Sequence, residues 1–150
     1  MEFLVLAKLF LQFVMSAVFG VGMDDGYATL YGTPNDPWAQ GLMACTHRRV
    51  PQNQRVCAHR WLPCGTEIKV INLENEAVGS CTVTDRGPFG VEKASGRWRG
   101  LVDLTPAAAR SVRLRGRALV RLIYKLPEAG AALYERRQFL TPRRGIGPVM

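Results

Sequence analysis

Asp85 is the first candidate for chemistry because it lies where a short predicted strand, residues 81–84, comes to an end. A turn at Gly87-Pro88 follows and leaves Asp85 and Arg86 at the mouth of the sheet. A carboxylate at such an edge can reach from a rigid scaffold into a cleft. An aspartate beside Gly-Pro is also common in turns, where its side chain bonds the local backbone. On these residues alone, a catalytic carboxylate and a structural turn residue both stay open.

The basic residues are concentrated towards the C-terminal end. Residues 97–150 hold twelve Arg or Lys against three acids, whereas residues 23–96 hold seven against eight, in a chain of 150 residues with a net charge of +8. A basic flank suits a polyanionic partner: nucleic acid, an anionic membrane surface or an anionic cell-wall polymer. The basic residues are interspersed with apolar ones and show no aromatic-plus-glycine pattern, so we expect no nucleic-acid partner. The length suits one domain with an ordinary core.

Residues 1–22 form a leader of different character. A nearly uninterrupted apolar run, residues 9–18, follows Lys8 and precedes Gly20 and Gly22. This is the layout of a secretory signal peptide, with a charged start, an apolar stretch and small residues near a cleavage point. The alternative is an uncleaved membrane anchor, but the run is shorter than the ~20 residues that span a bilayer. We therefore predict removal of the leader, a periplasmic or secreted protein, and no stable membrane insertion afterwards.

The cysteines agree with export, because an even number in a small exported domain favours disulfides over free thiols. The alternative is a zinc site that includes His47 or His59, but zinc ligands usually show Cys-x2–4-Cys spacing, which the chain lacks. We therefore predict no metal. Three pairings are possible and the sequence does not select one. We favour Cys64 with Cys81 and Cys45 with Cys57.

Turn residues and β-branched runs divide the rest of the chain into short elements. The predicted strands cover residues 26–32, 67–73, 78–84, 101–104 and 118–124. Residues 38–60 are predicted as a loop with one or two short strands. Thr105 is a favourable N-cap and Pro106 a favourable first helical residue, so one helix of about two turns is expected there. This pattern predicts a compact, mainly β barrel with one short helix, followed by a basic tail.

Four blocks of the chain, in order and spacing, resemble the RlpA-like (rare lipoprotein A) double-psi β-barrel domain. They are Gly26-x-Ala28-x-x-Tyr31-Gly32, Ala58-His59-Arg60-Trp61-Leu62-Pro63-Cys64-Gly65-Thr66, Val83-Thr84-Asp85-Arg86-Gly87-Pro88-Phe89 and Val102-Asp103-Leu104-Thr105-Pro106-Ala107-Ala108-Ala109. The resemblance implies a six-stranded double-psi barrel, related in architecture to expansins and barwin-like proteins. On this resemblance the chain divides into three parts: a leader at residues 1–22, the barrel domain at residues 23–126 and a basic tail at residues 127–150.

The resemblance also implies an activity in bacterial cell-wall glycan metabolism. The best-characterised members of the family are septal lytic transglycosylases that cut peptidoglycan strands lacking stem peptides and leave 1,6-anhydro-N-acetylmuramic acid ends. The acid of the Asp-Arg-Gly-Pro motif is Asp85, and the histidine of the Ala-His-x-x-Leu-Pro motif is His59. The family glutamate about eleven residues before that histidine falls near Arg48, and residues 37–66 contain no acid, so it is missing or replaced, for example by His47. The first cysteine is Cys45, so no lipid-anchoring cysteine follows the leader.

A single acid/base group suits this reaction better than it suits hydrolysis, which needs two carboxylates. The C6 hydroxyl of the muramic acid attacks the anomeric carbon, so one group can donate and accept the protons. We predict that Asp85 does so with help from His59. Arg86 is expected to point away from Asp85 or to contact substrate, since its cation would oppose protonation. Asp103 is expected to be structural because it precedes the helix start.

Three aromatic residues are candidates for stacking on sugar rings, although each can equally fill the core or rim of a small barrel. They are Tyr31, Trp61 and Trp98. The expected partner is a peptidoglycan glycan strand, bound by a monomer without a cofactor. Two alternatives stay open: a non-catalytic, expansin-like wall-binding module on the same barrel, and a secreted disulfide-rich domain that binds another protein.

Overall fold

The computed structural model describes residues 2–125, so the predicted basic tail, residues 127–150, lies outside the described part of the chain. The helices and strands run in the following order: α1 Glu2–Phe19, β1 Val21–Leu30, β2 Val56–Ala58, β3 Glu67–Asn72, β4 Val78–Asp85, β5 Val102–Leu104, α2 Pro106–Ser111 and β6 Ala118–Lys125. A 3-10 turn, Pro37–Ala39, lies in the loop between β1 and β2.

The strands close into one barrel in the order β1-β5-β2-β4-β3-β6. Two neighbouring pairs, β1 with β5 and β2 with β4, are parallel, and the other four are antiparallel. This closed six-stranded barrel confirms the predicted mainly β architecture and fits the double-psi barrel that the resemblance implies. The short helix α2 begins at Pro106, as the Thr-Pro signal predicted.

Alternation of side chains along the strands forms the core. In β6, Ala118, Val120, Leu122 and Tyr124 are buried, and the residues between them are more exposed. In β3, Ile68 and Val70 follow the same period of two. Successive side chains of a strand point to opposite faces, so each strand contributes every second residue to the barrel interior. The core also includes Val102, Leu104 and Val112, all with no exposed surface.

Strand β1 begins earlier than the sequence predicted, within the stretch assigned to the leader. It pairs with β6 along its length, from Val21 opposite Lys125 to Ala28 opposite Ala118. Gly22 permits this pairing, because a Cβ atom there would lie 2.2 Å from the ring of Tyr124. The leader itself is helical as α1, and its role as a signal peptide stays a prediction. Among the described helices, none has the length and hydropathy to span a membrane.

The favoured cysteine pairing was wrong. The disulfides join Cys45 to Cys64 and Cys57 to Cys81. Strands β2 and β4 are parallel neighbours, and Cys57 and Cys81 both point into the interior with Cα atoms 5.8 Å apart. Residues 38–60 were predicted as a loop with one or two short strands, and the sequence did not reveal that β2 lies beside β4. Cys45 instead crosses the end of β4, where its N–H donates to Thr84, and reaches Cys64.

The contact between Gly22 and Tyr124 predicts a stability change. Because residue 22 falls within the predicted leader, the test uses the full-length chain. There the added Cβ of Gly22→Ala must displace a ring that is 3% exposed, so we expect a loss of about 1 to 3 kcal/mol in unfolding free energy. Urea unfolding followed by circular dichroism measures it. Gly41→Ala is the control, because a Cβ at Gly41 meets nothing within 4 Å. Equal stability of the two variants would contradict the packing of residue 22 against the barrel.

Candidate active site

Two carboxylic acids flank the last residue of β2. Ala58 pairs with Asp85 of β4 on one side and with Asp103 of β5 on the other. The register shifts between Cys57 and Ala58, and the shift brings Asp85 rather than Thr84 beside Ala58. Thr29 of β1 pairs with Asp103 in turn, so Thr29, Asp103, Ala58 and Asp85 form one row across four strands. The barrel therefore brings together two acids that are distant in the sequence.

Asp85 is half-buried and held by backbone donors. Its Oδ1 accepts hydrogen bonds from the N–H groups of Ala44 and Arg86, both at 2.8 Å. Its carbonyl oxygen accepts the N–H of His59 at 3.1 Å. The bond from Arg86 is the local turn contact that the structural interpretation expected. The bond from Ala44 comes from a distant loop, so the position of this carboxyl group depends on more than its own turn.

Asp103 has the more perturbed environment. Burial is the main reason that its pKa is raised to about 6, and the charges of Asp36 and Asp85 contribute to the rise, whereas the hydrogen bond from Thr29 and the cation of Arg60 oppose it. The Thr29 hydroxyl donates to Oδ1 of Asp103. A carboxyl group with a pKa near 6 can hold a proton close to neutral pH, which general acid catalysis requires. The sequence interpretation of Asp103 as structural missed this environment.

Gly87, in the turn after β4, lies against Asp103. A Cβ atom built on Gly87 would be 3.9 Å from Oδ2 of Asp103. The φ angle of Gly87 is +131°, a conformation that only glycine adopts readily. The Gly-Pro turn that ends one acid-bearing strand therefore also lies beside the other acid.

Tyr31 lies close to the same charges. The ring is 9% exposed, and among the described residues its hydroxyl has no hydrogen-bond partner. Burial raises the pKa of Tyr31, and the charges of Asp85, Asp103 and Asp36 add to the effect. Its N–H donates to the carbonyl of Leu104, one residue after Asp103. Tyr31 is thus beside the acid pair, within reach of its charges.

Asp36 is a third acid near the site and was not predicted. It follows β1, and its Oδ2 accepts the N–H of Gly32 at 3.1 Å. Its charge acts on both Asp103 and Tyr31. Asp36 lies twelve residues before Arg48, near which the family glutamate was expected. Within the part of the chain that the structure describes, no three His, Cys, Asp or Glu side chains are grouped to hold a metal ion.

His59 is fully buried beneath the loop that follows β2. Its Nδ1 accepts hydrogen bonds from the N–H groups of Trp61, at 3.4 Å, and Leu62, at 3.2 Å. The ring meets that of Trp61 edge to face, with centroids 5.4 Å apart. An imidazole nitrogen that accepts two N–H bonds carries no proton. The observed contacts of His59 therefore fix the shape of the loop.

Arg86 points away from Asp85, as the sequence predicted. Its side chain contacts the loop that contains His59. Its Nη1 donates to the carbonyl oxygens of His59 and Leu62, and its Nη2 lies 3.5 Å from Sγ of Cys64. The guanidinium group thus connects the end of β4 to residues 59–64. A cation bonded to loop carbonyls stabilises the loop without forming an ion pair with Asp85.

The two tryptophans have different environments. Trp61 is 6% exposed and packs edge to face on Tyr124, with centroids 5.7 Å apart, so it fills the core. Trp98 is half-buried in the loop between β4 and β5 and meets Phe89 at 6.1 Å. Phe89 is 52% exposed. Of the two alternatives left open for each tryptophan, the structure assigns core packing to Trp61 and leaves Trp98 at the surface.

The fold and this site together define a small closed β-barrel protein with a pair of carboxylic acids at one edge. No family model matches the chain. Several curated proteins are similar to the chain. The endolytic peptidoglycan transglycosylase RlpA of Helicobacter pylori is 43% identical to it over 68 residues, which is 44% of this chain and 19% of that protein. The protein of the same name from Campylobacter jejuni is 34% identical over 100 residues, 65% of this chain and 32% of that protein.

A third relative, from Synechocystis sp., is named "Probable endolytic peptidoglycan transglycosylase RlpA" and is 38% identical over 87 residues, 58% of this chain and 24% of that protein. These similarities confirm the resemblance to RlpA-like proteins that the motifs indicated. The matched segments span about a third or less of the relatives' own length.

The environment of Asp103 predicts how stability changes with pH. Above about pH 4 an unfolded aspartate loses its proton, whereas folded Asp103 keeps it until about pH 6. The folded state binds more protons in this window, so unfolding free energy falls as pH rises through it. We expect Asp103→Asn to gain roughly 2 kcal/mol relative to wild type between pH 4 and pH 7, measured by urea unfolding.

Asp25→Asn is the matched control with the opposite sign. The hydrogen bond from Arg121, together with Lys8, lowers the pKa of Asp25 to about 2. Its contribution to stability is present above about pH 4 and is lost as pH falls towards 2, so this variant loses stability at neutral pH. If Asp103→Asn behaved like Asp25→Asn, the buried, proton-holding state of Asp103 would be wrong.

Proposed function

We propose that this chain is a peptidoglycan lytic transglycosylase that cleaves glycan strands and leaves 1,6-anhydro-N-acetylmuramic acid ends. The observation that carries the proposal is the pair Asp85 and Asp103 on either side of Ala58, one of them with a pKa raised to about 6. The similarity to proteins named endolytic peptidoglycan transglycosylase RlpA supports the substrate class.

In the proposed reaction, Asp103 is the general acid and Asp85 the general base. Asp103 gives its proton to the glycosidic oxygen as the bond from that oxygen to the anomeric carbon of muramic acid breaks. The C6 hydroxyl of the same sugar bonds to the anomeric carbon and gives its proton to Asp85. Water then returns the proton from Asp85 to Asp103. No external nucleophile enters the product, so the reaction yields an anhydro end.

The assignment differs from the sequence prediction, which gave both proton transfers to Asp85. Asp103 suits proton donation because it is the acid whose pKa is raised towards neutrality. Asp85 suits the second transfer because backbone donors hold one of its oxygens in place. The hydroxyl of Tyr31, buried beside both acids, is suited to bind a polar group of the sugar.

The remaining predicted residues take supporting roles in this proposal. His59 and Arg86 hold the loop at residues 59–64, and the sugar-binding aromatic surface is that of Trp98 with Phe89. We propose that the protein acts as a periplasmic or secreted monomer, with residues 1–22 as the leader that directs its export. The disulfides fit an oxidising compartment.

The second candidate is a non-catalytic module that binds wall glycan, as expansin-like barrels do. One specific feature favours it: Arg48 lies near the place of the family glutamate, and residues 37–66 contain no acid. The exposed face of Phe89 beside Trp98 would serve binding without cleavage equally well.

Digestion of peptidoglycan stripped of stem peptides separates the two functions. We expect wild type to release anhydro-ended fragments, detected by mass spectrometry, and Asp85→Asn and Asp103→Asn each to lower the rate by about a hundredfold or more, since each removes one proton transfer. Glu67→Gln, an exposed change on β3, is the control and should leave the rate unchanged. Binding to insoluble wall with no anhydro product would instead favour the binding module.

A further inference from the structure

Arg60 is a buried cation that ties together the two ends of the segment between β4 and β5. The residue is 7% exposed and follows His59 in the loop after β2. Its Nη1 donates to the carbonyl oxygen of Pro88 at 2.8 Å and to that of Gly100 at 2.6 Å. The two ends also touch, because a Cβ on Gly100 would lie 2.9 Å from Cγ of Pro88. One side chain thus fixes both ends of a loop of about a dozen residues.

The same guanidinium group supports the aromatic surface of that loop. Its central carbon lies 4.8 Å from the centroid of the Trp98 ring, within the range of a cation–π interaction. Trp98 in turn contacts Phe89 at the other end of the loop. The position of the aromatic pair therefore depends on Arg60.

Arg60 also acts electrostatically on the acid site. Burial lowers its pKa to about 10, while the charges of Asp103 and Asp24 oppose that shift. Asp103 is faced by Asp36 from the loop after β1, by Asp85 from β4, by Thr29 from β1 and by Arg60 from the loop after β2. Among these groups, Arg60 is the cation.

A purely structural role explains this arrangement poorly. Burying a charge is costly unless it is paired and fully hydrogen-bonded, and among the described residues the Nε of Arg60 has no hydrogen-bond partner. A neutral donor would tie two carbonyl oxygens at lower cost. The positive charge itself is therefore the feature that needs an explanation.

We propose that Arg60 is a positioning residue that couples the Phe89–Trp98 surface to Asp103. It holds this surface so that the bound sugar lies beside Asp103, and its charge enables Asp103 to release its proton. This inference rests on the proposed function. Without the cation, Asp103 keeps its proton too firmly. Without the planar guanidinium group, the loop no longer holds the Trp98 ring in a fixed position.

Two substitutions separate the charge from the shape. Arg60→Lys keeps the cation but cannot stack as a planar group on Trp98, and Arg60→Gln removes the cation. Carbon-13 NMR titration of the aspartate carboxyl groups measures the charge effect without any activity assay. We expect the pKa of Asp103 to rise by roughly one unit in Arg60→Gln and to stay near its wild-type value in Arg60→Lys. Arg55→Gln, an exposed change just before β2, is the matched control with no expected shift.

Steady-state kinetics on glycan strands without stem peptides measure the effect of losing the planar guanidinium group. Arg60→Lys should raise KM several-fold and keep the wild-type pH profile of kcat, whereas the falling limb of that profile should move to higher pH in Arg60→Gln. If Arg60→Gln does not fold, Trp98→Leu and Arg60→Lys carry the test: both should raise KM, with Asp103 titrating as in wild type. Unchanged KM in both would overturn the proposal.

The outcomes also distinguish this inference from the proposed function. A wild-type protein that releases no anhydro product overturns the proposed function, whatever the titrations show. An active protein in which Arg60→Gln leaves both the Asp103 titration and the pH profile unchanged overturns the role of Arg60 alone.

Discussion

The pairing of β2 between β4 and β5 is the constraint on which the site depends. Only three residues long, β2 is parallel to one neighbour and antiparallel to the other, so its last residue, Ala58, has an acid on each side. β2 closes the barrel between β4, which pairs with β3 on its other side, and β5, which pairs with β1 on its other side. The two acids therefore meet because of the fold, although 17 residues separate Asp85 from Asp103 in the sequence.

The electrostatics of the site follow from its place at the edge of this barrel. Asp103 lies deeper than a surface acid and faces Asp36 and Asp85, so both burial and like charge favour its protonated form. Thr29 and Arg60 oppose that effect, and their opposition keeps the group near the pH where it can both bind and release a proton. Without Thr29 and Arg60, the pKa of Asp103 would be higher and the group would keep its proton at neutral pH. With a direct ion pair to a cation, its pKa would be lower and the group would be ionised at neutral pH.

Much of the fold followed from local sequence signals, and the site followed only in part. Residues 118–124 alternate buried and exposed side chains, and Thr105-Pro106 begins a helix, so these elements were predictable. Asp85 was chosen as a candidate because it ends a predicted strand beside Gly-Pro, and the structure places it at the end of β4. The surroundings of Asp103, Asp36 and Arg60 could not be predicted because they depend on strands that neighbour one another only in the closed barrel. The cysteine pairing failed for the same reason, since residues 56–58 gave no sign that they form an interior strand beside β4.

The loops that complete the site are held by contacts that act together. Ala44 donates to Asp85, and the next residue, Cys45, is joined to Cys64 in the loop that His59 and Arg86 also hold. The residue that donates to Asp85 is thus next to a cysteine that is cross-linked to the loop at residues 59–64. The same loop contains Arg60, the cation that acts on Asp103. These loops contain little regular structure, so the covalent bond replaces the strand pairing that fixes the rest of the barrel. A site built in this way depends on an oxidised Cys45–Cys64 pair, which connects the geometry of the acids to the oxidising compartment predicted from the leader.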